Sequence, residues 1–222
     1  IENLYIDIGV SSQQEACDLG VRVGNPIVPK AELEFKNNGI ICGKAFDDRL
    51  GCAAVVEVLE AIRGESLSVN PVGVFSSQEE VGLRGAQVAA NTLKPDVAIC
   101  FEGTPADDTF ESCDRQQTVL GKGPMLRYID SKMITNPRFQ RFALDVAKKY
   151  DIRVQTAVRT GGATNAGAIH LSGGGVPSIV IGVPVRYAHT HYSVASLDDL
   201  KGAIALGKAI LKELNRKIIA SF

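Results

Sequence analysis

Tryptophan is absent from the 222 residues, and histidine occurs only three times. A sugar-binding cleft draws on aromatic platforms, so a tryptophan-free chain is poorly furnished for one. An excess of either charge is also missing. Lys plus Arg number 24 and Asp plus Glu number 25, a formal net charge of -1, which argues against a general electrostatic affinity for nucleic acid or an anionic membrane. No apolar run reaches the roughly 18 residues of a membrane span; the stretch from Val176 to Val183 is short and broken by Pro177. No basic segment followed by an apolar one opens the chain, so no secretory signal is visible. The five cysteines are an odd number without Cys-x-x-Cys spacing, which fits reduced thiols in a cytoplasmic protein. The chain begins without Met, in mid-strand, the pattern of an internal fragment.

Hydrophobic residues make up 45% and charged residues 22%, ordinary for a globular chain long enough for one sizeable α/β domain or a domain with an appendage. Residues 1–44 read as β-rich. Leu4 to Ile8 predicts a strand, Ser11-Ser12 caps a short helix, Pro26 to Phe35 predicts a second strand, and Asn37-Asn38-Gly39 is a tight-turn signal before Ile40-Ile41-Cys42. From about residue 45 the texture changes. Helices are predicted over 50–62, 85–93, 137–150, 164–171 and 196–214, with strands at 71–76, 97–101, 125–129, 154–158 and 178–183. This alternation predicts an α/β fold, a mostly parallel or mixed sheet flanked by helices on both faces.

Four places set acids or histidine beside an apolar strand or at the lip of a helix, where ligands of open α/β sheets gather. Asp47-Asp48 precedes a helix; taken alone, Asp47 is an N-cap and Asp48 an acid favoured by the helix dipole. Gln78-Glu79-Glu80-Val81-Gly82 follows an apolar strand, and adjacent residues in non-helical backbone point apart. One carboxylate can then bind a metal while its neighbour serves as general base; a solvated acidic turn is the plain alternative. Glu102 ends an apolar strand, where it either meets a compensating cation or emerges into solvent. His189 and His191 share one loop after a buried strand, and imidazole suits zinc, cobalt and related ions. His170 reads as a packing residue, and Asp107 and Asp108 as solvated loop acids. Together the four places supply three carboxylates, one imidazole and a spare Glu, the makings of a metal hydrolase.

Phe46-Asp47-Asp48-Arg49-Leu50-Gly51, Gln78-Glu79-Glu80-Val81-Gly82-Leu83-Arg84-Gly85-Ala86, Gly162-Ala163-Thr164-Asn165-Ala166-Gly167-Ala168-Ile169-His170 and Arg186-Tyr187-Ala188-His189 resemble, in order, the motifs of the M42 glutamyl/leucyl-type metallo-aminopeptidases, some of which carry an older cellulase or endoglucanase label. The resemblance runs through nearly the whole chain and implies a site of two divalent ions, zinc, cobalt or manganese. Asp47 matches the bridging ligand, Glu80 and His189 the other ligands of one ion, Glu102 a ligand of the second, and Glu79 the general base. A further family His lies in a segment this chain does not contain, so the resemblance implies one tightly held ion or fewer here. It also implies that residues 1–44 are the remnant of an inserted, PDZ-like dimerisation domain and 45–222 the catalytic domain. The implied partners are short peptide substrates, and homo-oligomers from dimer to dodecamer for the intact protein.

Three functions follow: an aminopeptidase acting on short peptides, a catalytically incompetent fragment that keeps the scaffold, or a glycoside hydrolase. The last needs two carboxyls flanking one bond, roughly 5 to 9.5 Å apart, and adjacent Glu79 and Glu80 are badly placed for it.

Overall fold

The computed structural model describes residues 5–222 and divides into two compact units, Ile1–Lys30 and Ala31–Phe222. In the first unit the helix α1 (Gln13–Asp18) begins where the sequence places its cap. Ser12 Oγ accepts the Glu15 N–H, and the Glu15 carboxylate accepts the Ser11 N–H, a reciprocal arrangement that satisfies two free amides. Leu4 of the first predicted strand lies outside the described residues, and Tyr5 to Ile8 form no ladder. No residue from 5 to 30 is buried, and Tyr5, Val23 and Ile27 stand in solvent. A short apolar run without a partner strand or a covered face stays extended but unpaired.

The second unit opens with β1 (Glu34–Phe35) and β2 (Ile40–Gly43), joined through Asn38 and Gly39 at positive φ, as the turn signal requires. The predicted strand over 26–35 shrinks to its last two residues. β2 pairs antiparallel with β7 (Ser193–Ser196) of the main sheet. The compact units therefore part at Lys30, whereas sequence texture changes near residue 44.

The sheet is built on β6 (Ser178–Arg186), a run of apolar residues buried on both faces, which is why it reads continuously rather than in alternation. β3 (Ala98–Pro105) runs parallel along one edge of β6, in register from Ala98 opposite Ser178 to Pro105 opposite Val185. The other edge is shared. β4 (Met125–Ile129) pairs antiparallel at Ile181 and Gly182, and β7 pairs antiparallel at Val185 and Arg186. β5 (Gln155–Val158) extends β4 in parallel, so the sheet is mixed. Side chains alternate along β6. Ile179, Ile181, Val183 and Val185 face a core with Leu50, Phe139, Leu206 and Ile210, while Val180 joins Cys100, Met133 and Ala166 in a second cluster.

Helices α2 (Phe46–Ala61), α4 (Pro137–Lys149) and α6 (Leu197–Glu213) supply the first core, and α5 (Ala166–Ile169), with α3 (Arg84–Leu93) against it, borders the second. Side-chain caps mark two of these starts. Asn136 Oδ1 accepts two amides ahead of α4, and Ser196 Oγ accepts the Asp198 N–H at the start of α6. The helix predicted over 164–171 is confined to α5. A short α7 (Arg216–Ile219) closes the chain. No described helix is long and apolar enough to cross a membrane, and all five cysteines are free thiols.

One predicted strand, 71–76, forms no ladder, and Val72, Val74 and Phe75 are exposed. It lies along a groove of about 1200 Å³ lined by Val55, Leu59, Val97, Ile99 and Phe101. Apolar sequence makes a strand only where a neighbouring edge accepts its hydrogen bonds, and among the described residues none does.

Ile181 has no solvent exposure and lies at the centre of the first core. Ile181→Ala should cost about 2–5 kcal/mol, whereas Val72→Ala on the exposed segment should stay within about 0.5 kcal/mol. Urea unfolding of the two variants checks the contrast.

Candidate metal centre

The N-terminal end of α2 is irregular. Ala45 has a left-handed backbone, and Asp47 and Asp48 lie outside helical φ/ψ, joined by a cis peptide bond. Helical backbone resumes after them, and Asp48 Oδ1 accepts the Gly51 N–H at 2.9 Å. That is the geometry of an N-cap, so the capping role that spacing offered to Asp47 belongs to Asp48. Asp47 is left free to face the site.

Beside it runs β3. A Cβ on Gly103 would lie 2.6 Å from Asp47 Cα, so only glycine lets the strand come this close. The same approach sets Glu102 against Asp47. Glu102 does not end its strand, because β6 continues to Arg186 and keeps β3 paired to Pro105. It is buried rather than emerging into solvent.

The third segment is the 77–83 loop. Gly85 donates to the Ser77 carbonyl, and Gly82 and Leu83 both donate to the Glu79 carbonyl. Gln78 and Leu83 bend the chain at positive φ. The fourth is the β6–β7 connection, where Tyr187 and His189 are both left-handed and the Thr190 and Ser193 hydroxyls donate to the Tyr187 carbonyl. Left-handed backbone costs a non-glycine residue about 1–2 kcal/mol. It persists where surrounding bonds over-determine it, and functional sites are where that recurs.

These segments converge. His189 Nε2 lies 3.0 Å from Asp47 Oδ2 and 3.7 Å from Glu80 Oε2. Two donors, each about 2.1 Å from a tetrahedral zinc ion, stand roughly 3.4 Å apart, and the two distances bracket that spacing. Donor atoms of Asp47, Glu80 and His189 all fall within 4.8 Å of one another, and so do those of Asp47, Asp48 and Glu102. Asp47 belongs to both groups. The donor sets fit divalent cations: oxygen with one imidazole in the first, carboxylates alone in the second.

The electrostatics point the same way. Burial above all, then Asp47, pushes the Asp48 carboxyl up, against the amides of Gly51 and Gly103. Burial likewise raises Glu102, with Asp48 and Asp47 adding to it. Glu79 is half-buried and outside both donor groups; burial, then Glu80 and Asp47, lifts it to about 7. Acids pushed this way by burial and like charge mark a place where a cation would be welcome.

Of the residues singled out in sequence, Asp47, Glu80, Glu102 and His189 are brought together with Glu79 alongside. His191 stands apart and exposed, and His170 Nδ1 is 2.9 Å from the Ala166 carbonyl oxygen, half-buried. Asp107 and Asp108 are not solvated loop acids. Asp107 is buried, accepting the Gln117 and Thr118 amides and pairing with Arg159 at 3.1 Å. Asp108 accepts both Arg186 Nε and a terminal guanidinium nitrogen at 2.8 Å, and the Leu120 N–H at 3.0 Å. Arginines from distant segments, Arg159 and Arg186, take up both acids. Sequence reasoning also missed Asp48 as a site carboxylate, although its three-residue spacing to Gly51 signals a cap. Arg127 was missed too; buried, it pairs with Asp130 at 3.2 Å and donates to Thr104 Oγ1.

Two overlapping carboxylate-rich donor groups beside β3 of a mixed α/β sheet make up a candidate metal centre. The M42 glutamyl aminopeptidase family profile matches residues 1–206, and the chain belongs to that family. It is 37% identical to the glutamyl aminopeptidase of Lactococcus lactis over 99% of its own length and 61% of that protein's. Among solved structures, it resembles the TET aminopeptidase of Thaumarchaeota archaeon SCGC AB-539-E09 with a TM-score of 0.93 and 39% identity, over 97% of this chain and 61% of that one. The Pyrococcus horikoshii TET1 peptidase, which can assemble into a tetrahedron or a large octahedral shell, matches with a TM-score of 0.81 and 28% identity over 94% of this chain and 60% of that one. The chain thus spans about 61% of the length of the Lactococcus relative.

Gly103→Ala should lower stability by about 1–3 kcal/mol through overpacking and weaken Co²⁺ binding by displacing Asp47. Gly161→Ala, where a Cβ meets open space, should do neither. Thermal melts and Co²⁺ titration of both variants test this.

Proposed function

We propose that this chain is the larger part of a metal-dependent aminopeptidase that removes N-terminal residues from short peptides. The observation that carries the reading is the meeting of Asp47, Glu80 and His189, from three distant segments, at separations matching one coordination sphere. Asp47, shared by both donor groups, would hold both ions; Glu80 and His189 would complete one site, and Glu102 would serve the second. Divalent zinc, cobalt or manganese there supplies a Lewis acid and lowers the pKa of a water.

Glu79 is the general base. It stands next to a ligand but outside both donor groups, so its oxygens are free to take a proton from the attacking water and return it to the leaving amine. The names of the Lactococcus and Thaumarchaeota relatives support an aminopeptidase rather than an endopeptidase. The assembly of the Pyrococcus relative supports a homo-oligomer, with residues 1–44 as the remnant of a dimerisation domain. Five free thiols suit a cytoplasmic setting.

A second reading has its own observation. The Asp47, Asp48 and Glu102 group has no imidazole, and Asp48 is already engaged by backbone amides. A chain with this set alone would keep the scaffold and one competent ion, with no turnover.

Glu79→Gln in the intact enzyme should reduce hydrolysis of aminoacyl anilides by about 10²- to 10⁴-fold while bound metal stays unchanged; His189→Ala should lose metal and activity together. Metal analysis beside the kinetics separates the two, and loss of metal in Glu79→Gln would reassign Glu79 as a ligand. The chain alone should hold one divalent ion or fewer through gel filtration.

A further inference from the structure

We infer that Asp108 is a positioning residue for His189, acting through Arg186; the inference rests on the metal-site reading above. Apart from its contacts with Asp47 at 3.0 Å and Glu80 at 3.7 Å, His189 has little around it. Its side chain is 68% exposed, so packing does little to fix the ring. Its place is set by the backbone of the connection 187–192, bent at Tyr187 and His189.

That connection leaves β6 at Arg186, and Arg186 is where the structure spends its strongest polar contact in this region. The guanidinium presents Nε and a terminal nitrogen, each 2.8 Å from an oxygen of Asp108. A fork-to-fork pair of this kind fixes orientation as well as distance. The Asp108 side chain is only 5% exposed and that of Arg186 33%, so the carboxylate end of the contact is buried and the guanidinium end partly open. Asp108 is anchored in turn by the Leu120 N–H at 3.0 Å, and the chain just before it by the Ala106 N–H on the Val185 carbonyl. A continuous set of bonds therefore runs from the 106–120 segment to the last residue of β6, three residues before the imidazole.

The neighbouring acid supplies the contrast. Asp107 is as well buried and also pairs with an arginine, but its partners are Arg159 and the Gln117 and Thr118 amides. None of these belongs to β6 or to the loop that carries His189. Two adjacent acids of similar burial thus divide the work: Asp107 holds its own segment, and Asp108 holds the strand end that presents the ligand.

The test compares Co²⁺ binding by calorimetry and the visible spectrum of the Co²⁺-loaded protein across variants. Asp108→Asn keeps the size but loses the two-oxygen acceptor. It should lower Co²⁺ affinity about 10- to 100-fold, the effect typical of a residue that orients a ligand, and alter the ligand-field bands at saturation. Arg186→Lys, which keeps the charge and loses the fork, should do the same and decides the question if Asp108→Asn does not fold. Asp107→Asn should lower the melting temperature yet leave affinity and spectrum at wild type. Wild-type affinity and spectrum in a folded Asp108→Asn or Arg186→Lys protein overturn the inference, as does an equal loss in Asp107→Asn. His189→Ala is the separate control: if it binds Co²⁺ as tightly as wild type, the metal-site reading itself fails and takes this inference with it.

Discussion

Like charge crowded against a sheet is the constraint on which the rest of this structure depends. Asp47, Asp48, Glu80 and Glu102 crowd into two overlapping groups with Glu79 alongside, and burial pushes Asp48, Glu79 and Glu102 toward their neutral forms. At an effective dielectric constant near 20, two unit charges 4 Å apart repel by about 4 kcal/mol. Arg127, the buried cation whose field reaches Glu79, is already paired with Asp130. Such a cluster works against stability and persists only because the surrounding packing holds it.

The holding is done by close backbone approach more than by side-chain bonds. Gly103 brings β3 against the start of α2, and Gly85 lets α3 begin hard against Ser77. The full-length register of β3 on β6 carries the strain of these approaches into the best-packed part of the molecule. Positive φ at Ala45, Gln78, Tyr187 and His189 then aims the donors. The architecture resembles a frame in which the acids come from three separate segments, α2, the 77–83 loop and β3, so no single local preference could assemble the site.

That division explains what was legible in the sequence. Elements whose signal is local were readable: α1 behind Ser11-Ser12, the turn at Asn38-Gly39, and the first residues of β6 over 178–183. The donor residues were readable because their types and places recur as motifs at strand ends and helix starts. What depends on a distant partner was not. Glu102 looked like the end of a strand because its continuation depends on β6. Asp107 and Asp108 looked solvated because Arg159 and Arg186, their partners, lie 52 and 78 residues away. The 71–76 and 26–35 segments have strand composition, but composition does not provide an edge to pair with. Asp47 and Asp48 compete for one cap, and only the backbone angles decide between them.

The donors also differ in how firmly they are held, and this ranks their behaviour. Asp47 and Glu102 rest on α2 and on the fully paired β3, and His189 on a short connection clamped at Arg186. Glu80 follows the unpaired 71–76 segment, and its loop is closed by only a few bonds, among them Gly85 to Ser77 and Leu83 to Glu79. Local stability follows buried apolar contacts and protected ladders, so the 71–80 segment is the softest part of the site. On the metal-site reading, a cation that takes Glu80 as a ligand cross-links this segment to the rigid frame. Metal affinity and order in the 71–80 segment are then one linked equilibrium. Glu79, one residue away, gains its fixed position from the same bond, which ties placement of the base to occupancy of the site it serves.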